Sequence, residues 1–266
     1  MKNKFRVLTY HEVNDPINFR VQMLYLKNEW NPTSIKSLEM SLLAKDELTD
    51  KAVLLTFDDA DESVYRNGLP ILKELKIPFT VFVITSLIGT DKPFWWDQAA
   101  YLDLDVRKLK EMKNSERLII IEEAIRISRK DEIRKTQLNL KQLEEIEMAG
   151  GTIACHTHSH PMLNQCDYKT IENEIVDCRK ILQKNNFAGF RYFAYPNGSL
   201  SKKAEKILKQ NGFKLAFLFN HQLSSSLEHP LRLSRLSVNS NTKIFKYKFI
   251  LSGWHSKLLP IKKLFI

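Results

Sequence analysis

Residues 52–59 read Ala52-Val53-Leu54-Leu55-Thr56-Phe57-Asp58-Asp59, an almost unbroken apolar run that stops at two carboxylates. A strand covered on both faces, as in a parallel sheet, needs such a run; a half-exposed strand alternates instead. Working outward, Phe5 to Tyr10, Phe79 to Thr85, Thr152 to Cys155, Gly189 to Ala194, Leu215 to Phe219 and Arg235 to Val238 read as further strands rich in β-branched, aromatic and other apolar residues. Helical spacing fills the gaps. Thr33 to Lys45 opens on Pro32-Thr33-Ser34, Leu69 to Lys76 stops before Pro78, and a helix from Leu138 ends at Gly150-Gly151. Tyr168 to Lys184 carries Ile171, Ile175, Ile181 and Leu182 on one side, and Ser201 to Gln210 ends at Asn211-Gly212. About seven strands separated by helices predict an α/β chain with right-handed crossovers, closed as a parallel sheet or barrel.

The chain has 266 residues, 43% of them hydrophobic, which suffices for a sizeable core and excludes disordered, collagenous and coiled-coil classes. It divides into a barrel domain over 1–240 and a basic tail over 241–266. A charged helical insertion over about 90–136 begins near the aromatic stretch Pro93-Phe94-Trp95-Trp96. The net charge of +10 admits nucleic acid, an anionic membrane or an acidic substrate as partner. No nucleic-acid-binding module is recognisable, and none is expected to act. Six lysines without an acid, Lys243, Lys246, Lys248, Lys257, Lys262 and Lys263, lie among aromatic and aliphatic residues in the tail. That pattern suits either peripheral contact with an anionic membrane or a helix packed on the barrel. Three cysteines without CxxC spacing suit a reducing compartment, and the first residues lack the apolar core of a secretion signal. A cytoplasmic setting, at most peripheral to the inner face of the membrane, is the expectation.

The polar residues fall at strand ends. One strand ends in Tyr10-His11-Glu12, another in Asp58-Asp59, a third in His156-Thr157-His158-Ser159-His160 and a fourth in Tyr195-Pro196-Asn197-Gly198. In a parallel barrel all these ends open on one face. Adjacent strand residues point to opposite sides, so one aspartate can ligate a metal while the other stands free as a base. The pair can equally cap a helix, since Asp61 and Glu62 follow. Three of seven histidines fall within five residues, and an Asp/His/His set leaves a coordination position open for water, the pattern of a catalytic metal site. Pro161 biases His160 away from the α region, so a turn is expected there. His158, between the other two, is the expected non-ligand. Such parts imply hydrolysis. No nucleophile elbow, Walker loop or dinucleotide fingerprint is present.

Thr56-Phe57-Asp58-Asp59, His156-Thr157-His158-Ser159-His160 and Phe193-Ala194-Tyr195-Pro196-Asn197-Gly198 resemble, in order, the three motifs of the polysaccharide deacetylase family, carbohydrate esterase family four, also called NodB-homology proteins. Leu8-Thr9-Tyr10-His11-Glu12-Val13, Pro78 to Val83 and Leu231 to Val238 resemble its poly-N-acetylglucosamine subgroup. The resemblance runs from about Phe5 to Val238. It implies a distorted (β/α) barrel and a divalent metal, zinc first with cobalt, nickel, manganese or iron as alternatives, held by Asp59, His156 and His160. It further implies Asp58 as general base and an N-acetylated saccharide as substrate. The third motif, Tyr195, Pro196 and Asn197, would line the oxyanion and substrate side, with the Asn197 N–H as donor. His11 is the expected general acid; His221 and His229 are the alternatives.

Two departures bear on this. Ala60 stands where the family usually carries glycine, and Asn197 where an aromatic is common, so a degenerate glycan-binding barrel is the rival reading, beside a deacylase of another N-acyl or O-acyl group. Arg191 or Arg235 could pair with Asp58. Trp95 and Trp96 could stack a sugar or fill a seam under the inserted helices.

Overall fold

The computed structural model describes residues 4–44, 49–128, 130, 133–227 and 229–256. Strand β1 (Lys4–Tyr10) leads into helix α1 (Pro16–Glu29), short β2 (Asn31–Thr33) and α2 (Ile35–Ala44). Then come β3 (Ala52–Phe57), α3 (Leu69–Leu75) and β4 (Phe79–Val83). Three short helices follow, α4 (Trp95–Tyr101), α5 (Val106–Glu111) and α6 (Asn114–Ile127), before α7 (Leu140–Met148) and β5 (Gly151–Cys155). The remainder is α8 (Tyr168–Lys184), β6 (Gly189–Ala194), α9 (Lys202–Gln210), β7 (Leu215–Phe217), β8 (Ser224–Ser225), β9 (Leu236–Ser237) and α10 (Ile244–Ser252).

The sheet runs β7-β6-β5-β4-β3-β1 with every neighbour parallel. Its two edges are joined by one stretch of chain. Leu233 bridges in parallel to Phe217 of β7, and Leu236 and Ser237 pair in parallel with Leu8 and Thr9 of β1. The sheet therefore curls into the expected distorted barrel. β2 extends β3, and β8 lies antiparallel across Lys4 and Phe5.

Alternation along each strand divides the apolar residues between two cores. Leu8, Val53, Leu55, Val81 and Val83 pack outward under the helices. Val7, Leu54, Phe82, Ala154 and Phe217 form the second cluster, inside the sheet. The same parity places Thr9, Thr56 and Asp58 on the inner side, where the barrel opens. Residues 94–127 carry a small core of their own, Ala99, Leu109 and Ile121. The helix starts follow from capping: Asp15 accepts from the Asn18 N–H, Asp167 from that of Thr170, and Asn139 and Gln142 form a capping box.

Helix α1 had no readable stripe in the sequence. Phe19, Met23 and Leu26 face inward while Ile17, Val21 and Leu24 are exposed, so apolar residues surround the helix and no period emerges. At the other end, α10 buries Tyr247, Ile250 and Leu251, with Tyr247 edge-on to Tyr25 of α1. Lys246, Lys248, Phe245 and Phe249 stay outside. Lys257, Lys262 and Lys263 lie beyond the described residues. No described helix is long and apolar enough to cross a membrane.

Candidate metal and catalytic site

Two strand ends and a loop build the centre. β3 delivers Asp58 and Asp59, β5 delivers His156, and the loop after β5 returns His160. Asp58 stays in register, its N–H donating to the Tyr10 carbonyl at 2.9 Å. Asp59 and Ala60 then take φ of +67° and +59°, turning the chain sharply out of the strand. Ala60 adopts the left-handed turn that glycine would enter without strain.

The loop 157–160 is held from three sides. Thr157 and His160 also have positive φ, at +70° and +59°, and the Thr157 hydroxyl accepts from the His160 N–H at 2.9 Å. Glu174 of α8, almost wholly buried, accepts from the N–H groups of His158 (2.8 Å) and Ser159 (2.7 Å) and from the Ser159 hydroxyl (2.5 Å). From α4, the Trp95 indole N–H donates to the His160 carbonyl at 3.0 Å, and the Trp96 ring packs 4.7 Å from the His160 ring. Trp95 is itself covered by the Arg117 guanidinium of α6, 4.1 Å above its ring. His158 turns away, its Nδ1 3.1 Å from the Thr85 hydroxyl, as expected of a non-ligand.

The His156 Nε2 and His160 Nε2 lie 3.3 and 3.5 Å from Asp59 Oδ1 and 3.2 Å from each other. His156 Nδ1 sits 2.9 Å from the Ala194 carbonyl, which can only accept, so that nitrogen carries a proton and Nε2 is left facing Asp59; against burial, Asp58 and Asp59 raise the His156 pKa. Asp59 Oδ1 is buried without a hydrogen bond of its own. Burial would raise the Asp59 pKa, but the His156 and His160 rings outweigh it and hold the carboxyl far below its usual range. His160 is pushed down to about 3 by burial and by His156, leaving its imidazole neutral. One carboxylate oxygen and two imidazole nitrogens thus converge at one point. All three ligand atoms lie within 4.8 Å of one another. The donor set fits a divalent cation of the zinc type.

Asp58 serves otherwise. Both its oxygens are gripped by Arg235, Nη1 to Oδ1 at 2.7 Å and Nη2 to Oδ2 at 2.6 Å. Arg235 is fully buried and also donates to Thr9 Oγ1 (2.9 Å) and the Leu218 carbonyl (2.8 Å). Burial acts to raise the Asp58 pKa, but Arg235 and His156 override it and keep the group ionised. Arg191, the other arginine considered, is exposed and lies over Phe190.

These groups open into a cavity of about 140 Å³, walled by His11, Trp96, Lys110, Asn197, Gly198 and Phe219. His11 stands at its mouth, edge-on to Phe219 at 5.6 Å. His221 packs on the same ring at 4.9 Å without lining the cavity. His229 caps the turn at Leu231 through Nδ1 and does not line it. In the third motif only Asn197 and Gly198 reach the cavity, and the wider expectation needs correcting. The Tyr195 ring is buried with its hydroxyl donating to the Leu231 carbonyl at 3.1 Å, its N–H is spent on the Phe217 carbonyl at 3.0 Å, and Pro196 is buried. These two place the turn and do not line the cavity. At Gly198, φ is +64° and any Cβ would meet Phe219 at 2.1 Å, so the turn requires glycine.

Lys110, Phe219 and Glu174 were not singled out from sequence, and Trp95 was read only as a ring that stacks or fills a seam. Lys110 stands in a basic run with no distinguishing pattern, and Phe219 follows its strand like any apolar end. The Trp95 N–H bond depends on a tertiary approach that no spacing encodes. Glu174 did leave a trace: it falls beside Ile171 and Ile175 on the apolar side of α8, where an acid needs a buried partner.

The profile of the family described as polysaccharide deacetylase matches residues 45–216, well over half of the chain. The chain belongs to the polysaccharide deacetylase family. It is 23% identical over 220 residues to the poly-beta-1,6-N-acetyl-D-glucosamine N-deacetylase of Staphylococcus aureus strain MRSA252, an alignment covering 79% of this chain and 61% of the relative. The Staphylococcus epidermidis counterpart is 22% identical, covering 90% and 81%. The chain thus spans about three fifths of the length of the S. aureus relatives. Among solved structures, the Streptococcus pyogenes deacetylase PplD superposes with a TM-score of 0.71 at 22% identity, covering 95% of this chain and 99% of that one. IcaB from Ammonifex degensii gives 0.68 at 22% identity, covering 94% and 97%. These likenesses establish the fold that this member of the deacetylase family shares with them.

Proposed function

We propose that the protein is a metal-dependent hydrolase that removes an N-acetyl group from an amino-sugar unit of a bacterial surface glycan or its lipid-linked precursor. The observation that carries this is the division of labour between adjacent aspartates: Asp59 joins His156 and His160, while Asp58 is held apart by Arg235. The named activity of the staphylococcal relatives supports poly-N-acetylglucosamine as the substrate type.

A divalent cation, zinc by the donor set, supplies Lewis-acid polarisation and a lowered water pKa when bound. Asp58, kept ionised by Arg235, accepts the proton of the attacking water. The acetamide carbonyl carbon becomes tetrahedral, and the Asn197 backbone N–H donates to its oxyanion. His11, at the cavity mouth, protonates the sugar nitrogen as the C–N bond breaks, leaving acetate and a free amine. Trp96 and Phe219 wall the sugar. The proposal includes a cytoplasmic setting, which suits the free, buried thiols of Cys155, Cys166 and Cys178. It also includes peripheral membrane contact through the exposed lysines of α10.

Acetate release from N-acetylglucosamine oligomers, with and without added zinc, tests it. Metal-dependent release is expected. Stoichiometric metal without release from any N-acetylated saccharide would favour the glycan-binding barrel.

A further inference from the structure

The cavity wall contains a cation that the proposed reaction leaves unused. Lys110 projects from α5, whose Leu109 is buried in the small core of residues 94–127 and whose start is fixed by Asp105, accepting from the N–H groups of Arg107 and Lys108. Its ammonium reaches the cavity and meets Asn197 Oδ1 at 3.4 Å. That partner is a neutral amide. Among the described residues no carboxylate lies within 4 Å of Lys110, whereas the other cation of the site, Arg235, is fully matched by Asp58. Arg107, Lys108 and Lys113 lie in the same stretch; its acids are Asp105, which caps the helix, Glu111 and, just beyond it, Glu116, 3.9 Å from Lys113. Asn197 carries the backbone N–H placed above at the oxyanion. The ammonium therefore stands beside the residue whose N–H is placed at the oxyanion, on the wall of the same cavity.

We propose that Lys110 determines specificity by pairing with an anionic group, a phosphate or a carboxylate, carried on or next to the amino sugar whose acetamide is cleaved. An ammonium near the mouth of a partly enclosed site attracts an anion more strongly than it would in open water. The same charge disfavours a neighbouring sugar already deacetylated, since that sugar is itself an ammonium ion. Lys110 thus selects between glycans that offer the same acetamide to the same metal and base. This inference rests on the deacetylase reading above.

The test compares three substrates: a neutral N-acetylglucosamine oligosaccharide, the same oligosaccharide with a phosphodiester on its terminal sugar, and one with a carboxylate substituent. The wild-type protein, metal-loaded, is expected to prefer one or both anionic forms in kcat/KM at low salt. Lys110→Met is expected to reduce that preference about tenfold through KM, and Lys110→Arg to retain it. Whichever anionic form loses more identifies the group. Equal effects of Lys110→Met on neutral and anionic substrates overturn the proposal, as does the absence of any preference in the wild type. Calorimetric binding of the phosphodiester-bearing oligosaccharide reads the same contact without turnover. If no acetate is released from any substrate, the deacetylase reading falls. Binding about tenfold weaker in Lys110→Met would still uphold the ion pair, and unchanged binding would refute it.

Discussion

Arg235 and Asp58 form a two-pronged ion pair, 2.7 and 2.6 Å, between residues 177 positions apart, at the one point where the chain closes the barrel. The segment that joins β7 to β1 also supplies the counter-ion of the proposed base. Closure of the fold and ionisation of Asp58 therefore depend on one stretch of chain. A buried carboxylate without such a partner would take up a proton and lose its use as a base.

Replacing Arg235 by Gln is expected to raise the Asp58 pKa, because the largest opposing influence, burial, is then unopposed by the guanidinium. With Arg235 present, the lowered pKa means that the contribution of Asp58 to stability is in place above the ordinary carboxylate range. It fades only as pH falls through the lower folded value. The variant should shift the acid limb of kcat/KM to higher pH and lose about 3–5 kcal/mol of stability. A pH–rate profile and urea unfolding check both.

Glu174→Ala removes the acceptor of three hydrogen bonds that hold residues 158 and 159, and with them the spacing of His156 and His160. Metal affinity is expected to fall by roughly 10–100-fold, the usual cost of losing support behind metal ligands. Competition against a chromophoric chelator measures it. Trp95→Phe, which removes the N–H to the His160 carbonyl together with part of the ring under Arg117, should fall in the same direction by less.

Ala60→Gly relieves a left-handed alanine, worth about 1–2 kcal/mol, at an entropic cost of about 0.4–1 kcal/mol in the unfolded chain. A net gain of about 0.5–1 kcal/mol is expected in urea unfolding, with metal binding intact. An unchanged midpoint would mean that the turn carries no such strain.

His11→Asn should lower kcat on N-acetyl sugars by about 10²–10⁴-fold, since the amine leaves only when protonated. On p-nitrophenyl acetate, whose phenolate leaves unaided, the loss should be slight. His229→Asn, remote from the cavity, should behave as wild type on both.

The run Ala52 to Asp59 carried the barrel because continuous hydrophobicity is a local property that burial on both faces demands. The same holds for the 156–160 cluster: residue type and spacing are written along the chain, and the centre formed where the strand ends predicted. What stayed hidden is tertiary. Arg235 and Arg191 are equivalent as letters, and only the bridge from Leu233 to Phe217 carries one of them inside. Tyr195 and Asn197 share a motif, yet the strand ends at Ala194 and the positive φ of Asn197 turns the chain, so the Tyr195 ring goes into the core while Asn197 stays at the cavity. Helix α1 is not legible because Ile17, Val21 and Leu24 on its outer face blur the stripe that Phe19, Met23 and Leu26 form inside.

The most direct test of the central claim is acetate release by Asp58→Asn protein carrying one equivalent of zinc. If Asp58 acts as the proposed base and not as a ligand, the variant binds zinc as the wild type does while releasing acetate at least about 10³-fold more slowly. Near-wild-type release, or loss of the zinc, would contradict the division of roles between Asp58 and Asp59.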